Sequence, residues 1–178
     1  MKEIAQEKLQ ELLDRQEILD CIYRYTRGLD RHDDEILRSC FHEDAYDNHG
    51  RWTGTRDEFV QWANHECHSE LNAHLHNITS HSCEINGDEA HTESYVQFVH
   101  RVKDNVTVNV GGGRYIDHFL KRDGEWKIFR RRLISDYRFT ADGSMFMNKD
   151  GEQYGYTIGT WDKTDTSYER PVKIDGVD

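Results

Sequence analysis

The hydrophobic period of the chain changes once, near His74, and that change sets the class of fold. Before it, Leu9, Leu12, Leu13, Leu19, Ile22, Tyr23, Thr26 and Leu29 recur at helical spacing and predict one long helix ending near Asp30. Asp33 or Asp34 can cap a short second helix running to Phe41, with Ile36, Leu37 and Cys40 inward. Ala45 to Trp52 is extended. Thr55-Arg56-Asp57-Glu58 has the form of a capping box, and Phe59, Val60, Trp62 and Ala63 supply the apolar face of a third helix.

After His74 the pattern has period two and is punctuated by turns. Asn86-Gly87 joins strands His76–Ile85 and Ala90–Val102, and Lys103-Asp104-Asn105 turns the chain again. Asp123-Gly124 joins Arg114–Lys121 to Trp126–Phe139. Helices first and an antiparallel meander second make an α+β domain in which a curved sheet wraps over helices. Residues 1–141 form this domain. Residues 142–178, rich in Gly, Asp, Lys and Thr, read as an irregular tail that packs on a neighbour or covers the mouth of the sheet.

A length of 178 residues suits one domain, and such a chain buries roughly 70% of its unfolded surface. The net charge of −11 has the wrong sign for non-specific binding to nucleic acid or an anionic membrane. No run approaches the ~20 apolar residues of a membrane span, and the charged, helical N-terminus is unlike a signal peptide. Cys21, Cys40, Cys67 and Cys83 show no CxxC spacing and read as reduced thiols, so the expected location is the cytoplasm.

Strand alternation sorts the polar residues by face. Phe129, Arg131, Leu133, Ser135 and Tyr137 share one side of their strand. Trp126, Ile128, Arg130, Arg132 and Ile134 share the other, an apolar and Arg-rich surface suited to an interface. Arg131 on an apolar face needs an anion, either a ligand or a structural carboxylate. Thr92, Ser94, Val96, Phe98 and His100 share a face, as do His74, His76 and Ile78. His74 and His76, with His65, His68 and His81 nearby, match no standard zinc spacing, so no metal is expected. A single His held by a carboxylate and working as a general base fits better. Gly111-Gly112-Gly113 opens a strand and lacks the features of a nucleotide loop; it bends the sheet or leaves cavity space.

Four segments carry a family resemblance: RQEILDCIYRYTRGLDRHD, FHEDAYDNHG, HNITSHSCEINGDEA and YIDHFLKRDGEWKIFRRR. In order and spacing, over about residues 10–140, they resemble the SnoaL-like group of the nuclear-transport-factor-2-like superfamily. The likeness is strongest to the branch holding hexachlorocyclohexane dehydrochlorinase, scytalone dehydratase and bile-acid 7α-dehydratase. The resemblance implies a cone-shaped α+β barrel with a pocket inside, and a lyase that uses an Asp–His dyad without metal or organic cofactor. Its Asp, in a segment like GLDRHD, falls on Asp30; its His, in a segment like HNITSH, falls on His76. Tyr25 matches a Tyr of the bile-acid enzyme and a Lys of the dehydrochlorinase, and Arg131 matches an Arg that helps the leaving group. His74, Val96, Phe98 and Tyr115 match wall positions. Ser135 stands where the bile-acid enzyme has Arg, a departure that bears on substrate.

The expected activity is thus dehydratase or dehydrohalogenase chemistry on a ring-shaped, apolar small molecule. The alternatives are an isomerase or cyclase in the same pocket, or a non-catalytic binding or scaffold subunit. The resembling lyases imply a homo-oligomer, a trimer ahead of a dimer.

Overall fold

The computed structural model describes residues 2–104, 106–144 and 155–174. Asn105 of the turn and residues 145–154 and 175–178 of the tail lie outside the described residues. The order of elements is α1 (Lys2–Asp30), α2 (Asp34–Ser39), β1 (Phe41–Asn48), β2 (Thr53–Thr55), α3 (Arg56–Gln61), β3 (Leu71–Asn86), β4 (Glu89–Val102), β5 (Thr107–Arg122) and β6 (Glu125–Asp142). Among the described residues the strands form one curved, mixed six-stranded sheet, ordered β2-β1-β6-β5-β4-β3. This is the cone-shaped α+β fold.

The meander β3–β6 is antiparallel throughout. Its two tight turns use the residues that tolerate positive φ: Gly87 at 62°, and Asp123 and Gly124 at 53° and 82°. The sequence pattern runs α2 to Phe41. The structure instead ends α2 at Ser39 and starts β1 at Phe41, which pairs parallel to β6.

α1 lies across the concave face of the sheet. Its buried stripe is Ile18, Cys21, Ile22, Tyr25 and Leu29, packed with Phe41, Phe59, Phe119 and Ile128. Leu9, Leu12 and Leu13, which the helical period counts as inward, are exposed. Asp14 ties the helix to the β5–β6 hairpin by accepting from Lys121 Nζ at 2.7 Å and Trp126 Nε1 at 2.9 Å.

Two bulges in β6 overturn the strict alternation read from the sequence. His118 pairs with Arg130 and Phe119 with Ile128, leaving Phe129 as an extra residue. Trp126 and Ile128 therefore turn into the core, 3% and 0% exposed, and are not part of an outer interface face. A second shift pairs Gly113 with Ser135 and Gly112 with Tyr137, skipping Asp136. Tyr137 is thereby turned away from the face of Leu133 and Ser135, and is 44% exposed. The glycine triplet lies inside β5 and does not open it. A Cβ on Gly113 would stand 2.0 Å from the Ile134 carbonyl oxygen, and one on Gly111 2.4 Å from the Phe98 ring.

Residues 155–174 carry one short 3-10 turn, Thr166–Tyr168, and dock on the corner between α1 and α2. Arg31 reaches Asp165 at 2.9 Å, and the Tyr168 hydroxyl donates to Asp33 at 2.6 Å. Lys163 pairs with the same Asp33 carboxylate.

Candidate active site

Asp30 is the last residue of α1, and the chain reverses immediately after it. His32 takes a positive φ of 48°, and Asp33 caps α2 by accepting the Ile36 N–H at 3.2 Å. Gly28 permits this reversal: a Cβ there would meet the Leu37 backbone at 2.7 Å. The corner aims Asp30 at β3. Its Oδ1 faces His76 Nδ1 at 2.7 Å, and its Oδ2 accepts the His76 backbone N–H at 3.1 Å. Asp30 is 8% exposed. A double hold of this kind fixes the ring and its tautomer, leaving Nε2 as the free nitrogen.

His76 is at the wall of a cavity of about 370 Å3 that lies between the helices and the sheet and opens to solvent. Val96, Phe98, Tyr115 and Ser135, predicted as wall residues, line it. Phe59, Trp62 and Leu133 complete an apolar lining, while His49, His100 and Arg138 supply polar groups.

The other predicted residues are placed one layer back. His74 is 3% exposed and lies behind His76, against His32, His68 and Trp161. Tyr25 is fully buried between Phe41, Phe59 and Tyr115 and does not line the cavity. Burial raises its pKa well above the ordinary phenol value and keeps it neutral. Arg131 is also beneath the cavity floor. It is held by Asp117 and faces the Tyr25 and Tyr115 rings at 3.9 and 4.2 Å. Burial opposes its charge, and Asp117 outweighs that opposition. Of the two readings the sequence left open for Arg131, this geometry contains the structural carboxylate.

Sequence reasoning misses two groups outright, and of a third it weighs His68, His74 and His76 without His100. His49 lines the cavity and its Nδ1 pairs with Asp47, which is 0% exposed. The signal was present, since Asp47 and His49 fall two apart in an extended segment and share a face. Arg138 enters the cavity wall because the bulge at Asp136 exchanges it with Tyr137. The third is a knot of imidazoles. His68, His74, His76 and His100 each bring a ring nitrogen within 4.8 Å of the others. His100 pairs directly with His74 across β3 and β4, and His68 follows the π turn Trp62–Cys67 that continues α3. His65 and His81 are not in this group; they bond Asp34 and Ser94. Burial, reinforced by the neighbouring imidazoles, lowers the pKa of His68 to about 2 and pushes that of His74 far down. Burial takes His100 to about 3 and His32 to about 4.

Residues 10–132 match the family model for the SnoaL-like domain. The chain belongs to the SnoaL-like family. No curated protein matches it. The solved structures it resembles include the hexachlorocyclohexane dehydrochlorinase LinA-type3 of Novosphingobium barchaimii LL02. That likeness has 19% identity and a TM-score of 0.71 over 76% of this chain and 95% of that one. A Novosphingobium aromaticivorans protein provisionally described as a scytalone dehydratase is 23% identical, with a TM-score of 0.66 over 72% and 88%. A Mycobacterium tuberculosis protein of unknown function, solved as a point variant, is 27% identical, with a TM-score of 0.62 over 74% and 75%. These likenesses establish a shared fold. The SnoaL-like architecture read from the sequence holds across the matched region, and among the described residues no helix is long and apolar enough to cross a membrane.

Proposed function

We propose that this SnoaL-like protein is a lyase of the dehydratase or dehydrohalogenase type, acting on a ring-shaped, largely apolar small molecule. The observation that carries the reading is the Asp30–His76 contact at 2.7 Å beside a mostly apolar cavity. A volume of about 370 Å3 is near the lower end of small-molecule sites and suits a compact ring system. The likeness to a dehydrochlorinase and to a protein described as a dehydratase agrees with this chemistry.

In the proposed step His76 Nε2 takes a proton from a ring carbon. The C–H electrons form the new double bond, and the bond from the adjacent carbon to the leaving group breaks. A hydroxyl leaves as water with a proton from the imidazolium form of His49, which is paired with Asp47 and takes a proton back from solvent after the step; a halide leaves as the anion toward Arg138. Asp30 stabilises the imidazolium that forms. The protonated His76 then returns its proton to solvent.

The test is a panel of cyclic hydroxy-ketones, halogenated rings and steroid-like compounds, screened for loss of water or halide. For a compound that turns over, His76→Ala should reduce the rate by about 10²–10⁴-fold with the fold intact. Asp30→Asn should lose much of the same factor, because the amide cannot support the imidazolium charge. The rate should fall in acid, since a protonated imidazole cannot accept a proton. Full activity in His76→Ala overturns the mechanism, and tight binding of ring compounds without turnover overturns the lyase reading.

A further inference from the structure

We propose that His68, His74, His76 and His100 form a binding site for one divalent first-row transition-metal ion of the zinc class. Three of the residues lie within nine positions and His100 is 24 residues further on, a spacing that matches no standard ligand pattern. The fold assembles them. His74 and His76 are on the same face of β3, His100 is opposite His74 on β4, and His68 closes the group from the end of the π turn. One ring nitrogen from each lies within 4.8 Å of the other three. A tetrahedral zinc with Zn–N of about 2.0–2.1 Å holds its donors roughly 3.4 Å apart, so small side-chain rotations close the shell.

Orphaned ring nitrogens are the second, independent observation. His68 Nδ1, His74 Nδ1 and His100 Nε2 are buried and have no hydrogen-bond partner among the described residues. Buried imidazoles are normally satisfied at both nitrogens. Here three of the four clustered rings each carry an unsatisfied nitrogen, with His68 and His74 only 5% and 3% exposed. A metal ion would accept all three lone pairs at once. Desolvation keeps these rings uncharged near neutral pH, which is the form that ligates.

The surroundings are those of a metal site as well. Asp30 is behind His76 Nδ1 at 2.7 Å, across that ring from Nε2. A carboxylate behind a ligating imidazole orients the ring and raises the basicity of its other nitrogen. His32 Nε2 contacts His74 Nε2 at 2.9 Å, and the Trp161 ring stacks on His32 with centroids 4.2 Å apart, closing the side away from the cavity. A neutral, all-nitrogen donor set selects zinc, cobalt, nickel or copper over magnesium or calcium. His76 Nε2 is the ligand atom left to His76, so occupancy would also withdraw the base. That consequence rests on the lyase reading; the metal site does not.

The experiment uses the full chain without a histidine tag, stripped with EDTA and titrated with Co2+. Cobalt reports its own geometry in the visible spectrum without any substrate. The expected result is one Co2+ per chain, with the intense ligand-field bands of a four- or five-coordinate nitrogen site, bleached by Zn2+. His100→Gln and His68→Gln should each weaken binding by at least about tenfold. Glu89, His91 and His118 form a second, more exposed group and supply the control: His118→Gln should bind as the parent does. Ring-nitrogen NMR of the unaltered protein, with and without Zn2+, tests the site even if a variant fails to fold; the shifts should be confined to the four named rings and His32. Weak octahedral bands only, binding lost with His118→Gln, or unchanged binding in His100→Gln overturns the site. None of these readouts depends on turnover, so failure of the lyase reading would leave them intact.

Discussion

Arg131 reaches Asp117 through two parallel bonds, Nε to Oδ1 at 2.6 Å and Nη2 to Oδ2 at 2.7 Å, with both side chains 0% exposed. Removing one member of such a pair leaves a buried charge alone, which costs about 3–5 kcal/mol. Arg131→Ala should therefore show its effect first in stability, as a lower urea midpoint. Arg131→Met combined with Asp117→Leu should recover most of the loss, because neither charge remains. An Arg131→Ala protein with the parental midpoint would contradict a structural role for the pair.

The fold was legible where local chemistry and tertiary structure agree. Asn86-Gly87 and Asp123-Gly124 are hairpins because their residues accept positive φ, and the change of period at His74 is where the sheet's meander begins. The Asp30–His76 pairing came from resemblance; nothing in the spacing of 46 residues connects a helix end to a strand. Phe129 and Asp136 show what alternation misses. Each is one unpaired residue in β6, and each reverses the face of every residue beyond it. Arg138 was hidden for that reason. His68, His74 and His76 were visible as a group, but His100 was hidden from it because cross-strand partners such as His74 and His100 have no fixed offset along the chain.

His49 offers a second carboxylate-backed imidazole in the cavity, paired with Asp47. If it donates to a leaving hydroxyl, His49→Ala should slow loss of water by about 10²–10⁴-fold. Loss of halide, which needs no proton, should be much less affected. Pre-steady-state rates on a matched hydroxyl and chloride substrate pair check this. Equal losses on both substrates would remove His49 as the proton donor.

The metal-free protein should lose stability as pH falls below about 6.5. Unfolded histidines take up a proton near that value, whereas His68, His100 and His32 resist it down to about 2, 3 and 4. Their folded pKa values are depressed, so in this window the unfolded chain binds more protons and stability drops with pH. His68 and His100 each contribute up to about 1.4 kcal/mol per pH unit until the folded value is reached, and the less buried His32 contributes less. The charged or titratable groups facing them are Asp30, Arg31, Asp34, His49, His65, His74, His76 and Arg138. Urea midpoints at several pH values between 5 and 7.5 should fall steadily, and less steeply in His68→Gln. A flat profile would mean that the cluster is hydrated and not desolvated.

A homo-oligomer is expected, but on a different patch from the one alternation suggests. With Trp126 and Ile128 in the core, the exposed apolar residues of β3–β5 include Leu75, Tyr95, Val99 and Ile116, each 38–52% exposed. Leu75 pairs with Val99 across β3 and β4, which makes these two the adjacent apolar pair of the patch. Sedimentation at micromolar concentration should give a trimer or dimer, and Val99→Glu should shift it toward a 21.1 kDa species. A monomer in the parent protein would end this expectation.

Trp161 closes the outer side of the histidine cluster. Its ring stacks on His32 with centroids 4.2 Å apart at 20°, and meets His74 edge-on at 5.0 Å. The segment that carries it is anchored elsewhere, by Arg31–Asp165 and by the contacts of Lys163 and Tyr168 with Asp33. Trp161→Ala should therefore leave the segment docked and open only the path to the rings. The expected outcome is faster modification of His32 and His74 by diethyl pyrocarbonate, read by peptide mass spectrometry, with His42 as an internal reference. His42 is remote from the segment and bonds the Leu120 carbonyl oxygen. Asp33→Asn should have a broader effect on the segment, because it removes the charge that Lys163 pairs with and the acceptor of the Tyr168 hydroxyl, while the amide oxygen still caps α2. If Trp161→Ala leaves the reactivity of His32 and His74 unchanged while Asp33→Asn raises it, the segment's backbone, and not the indole, is the cover.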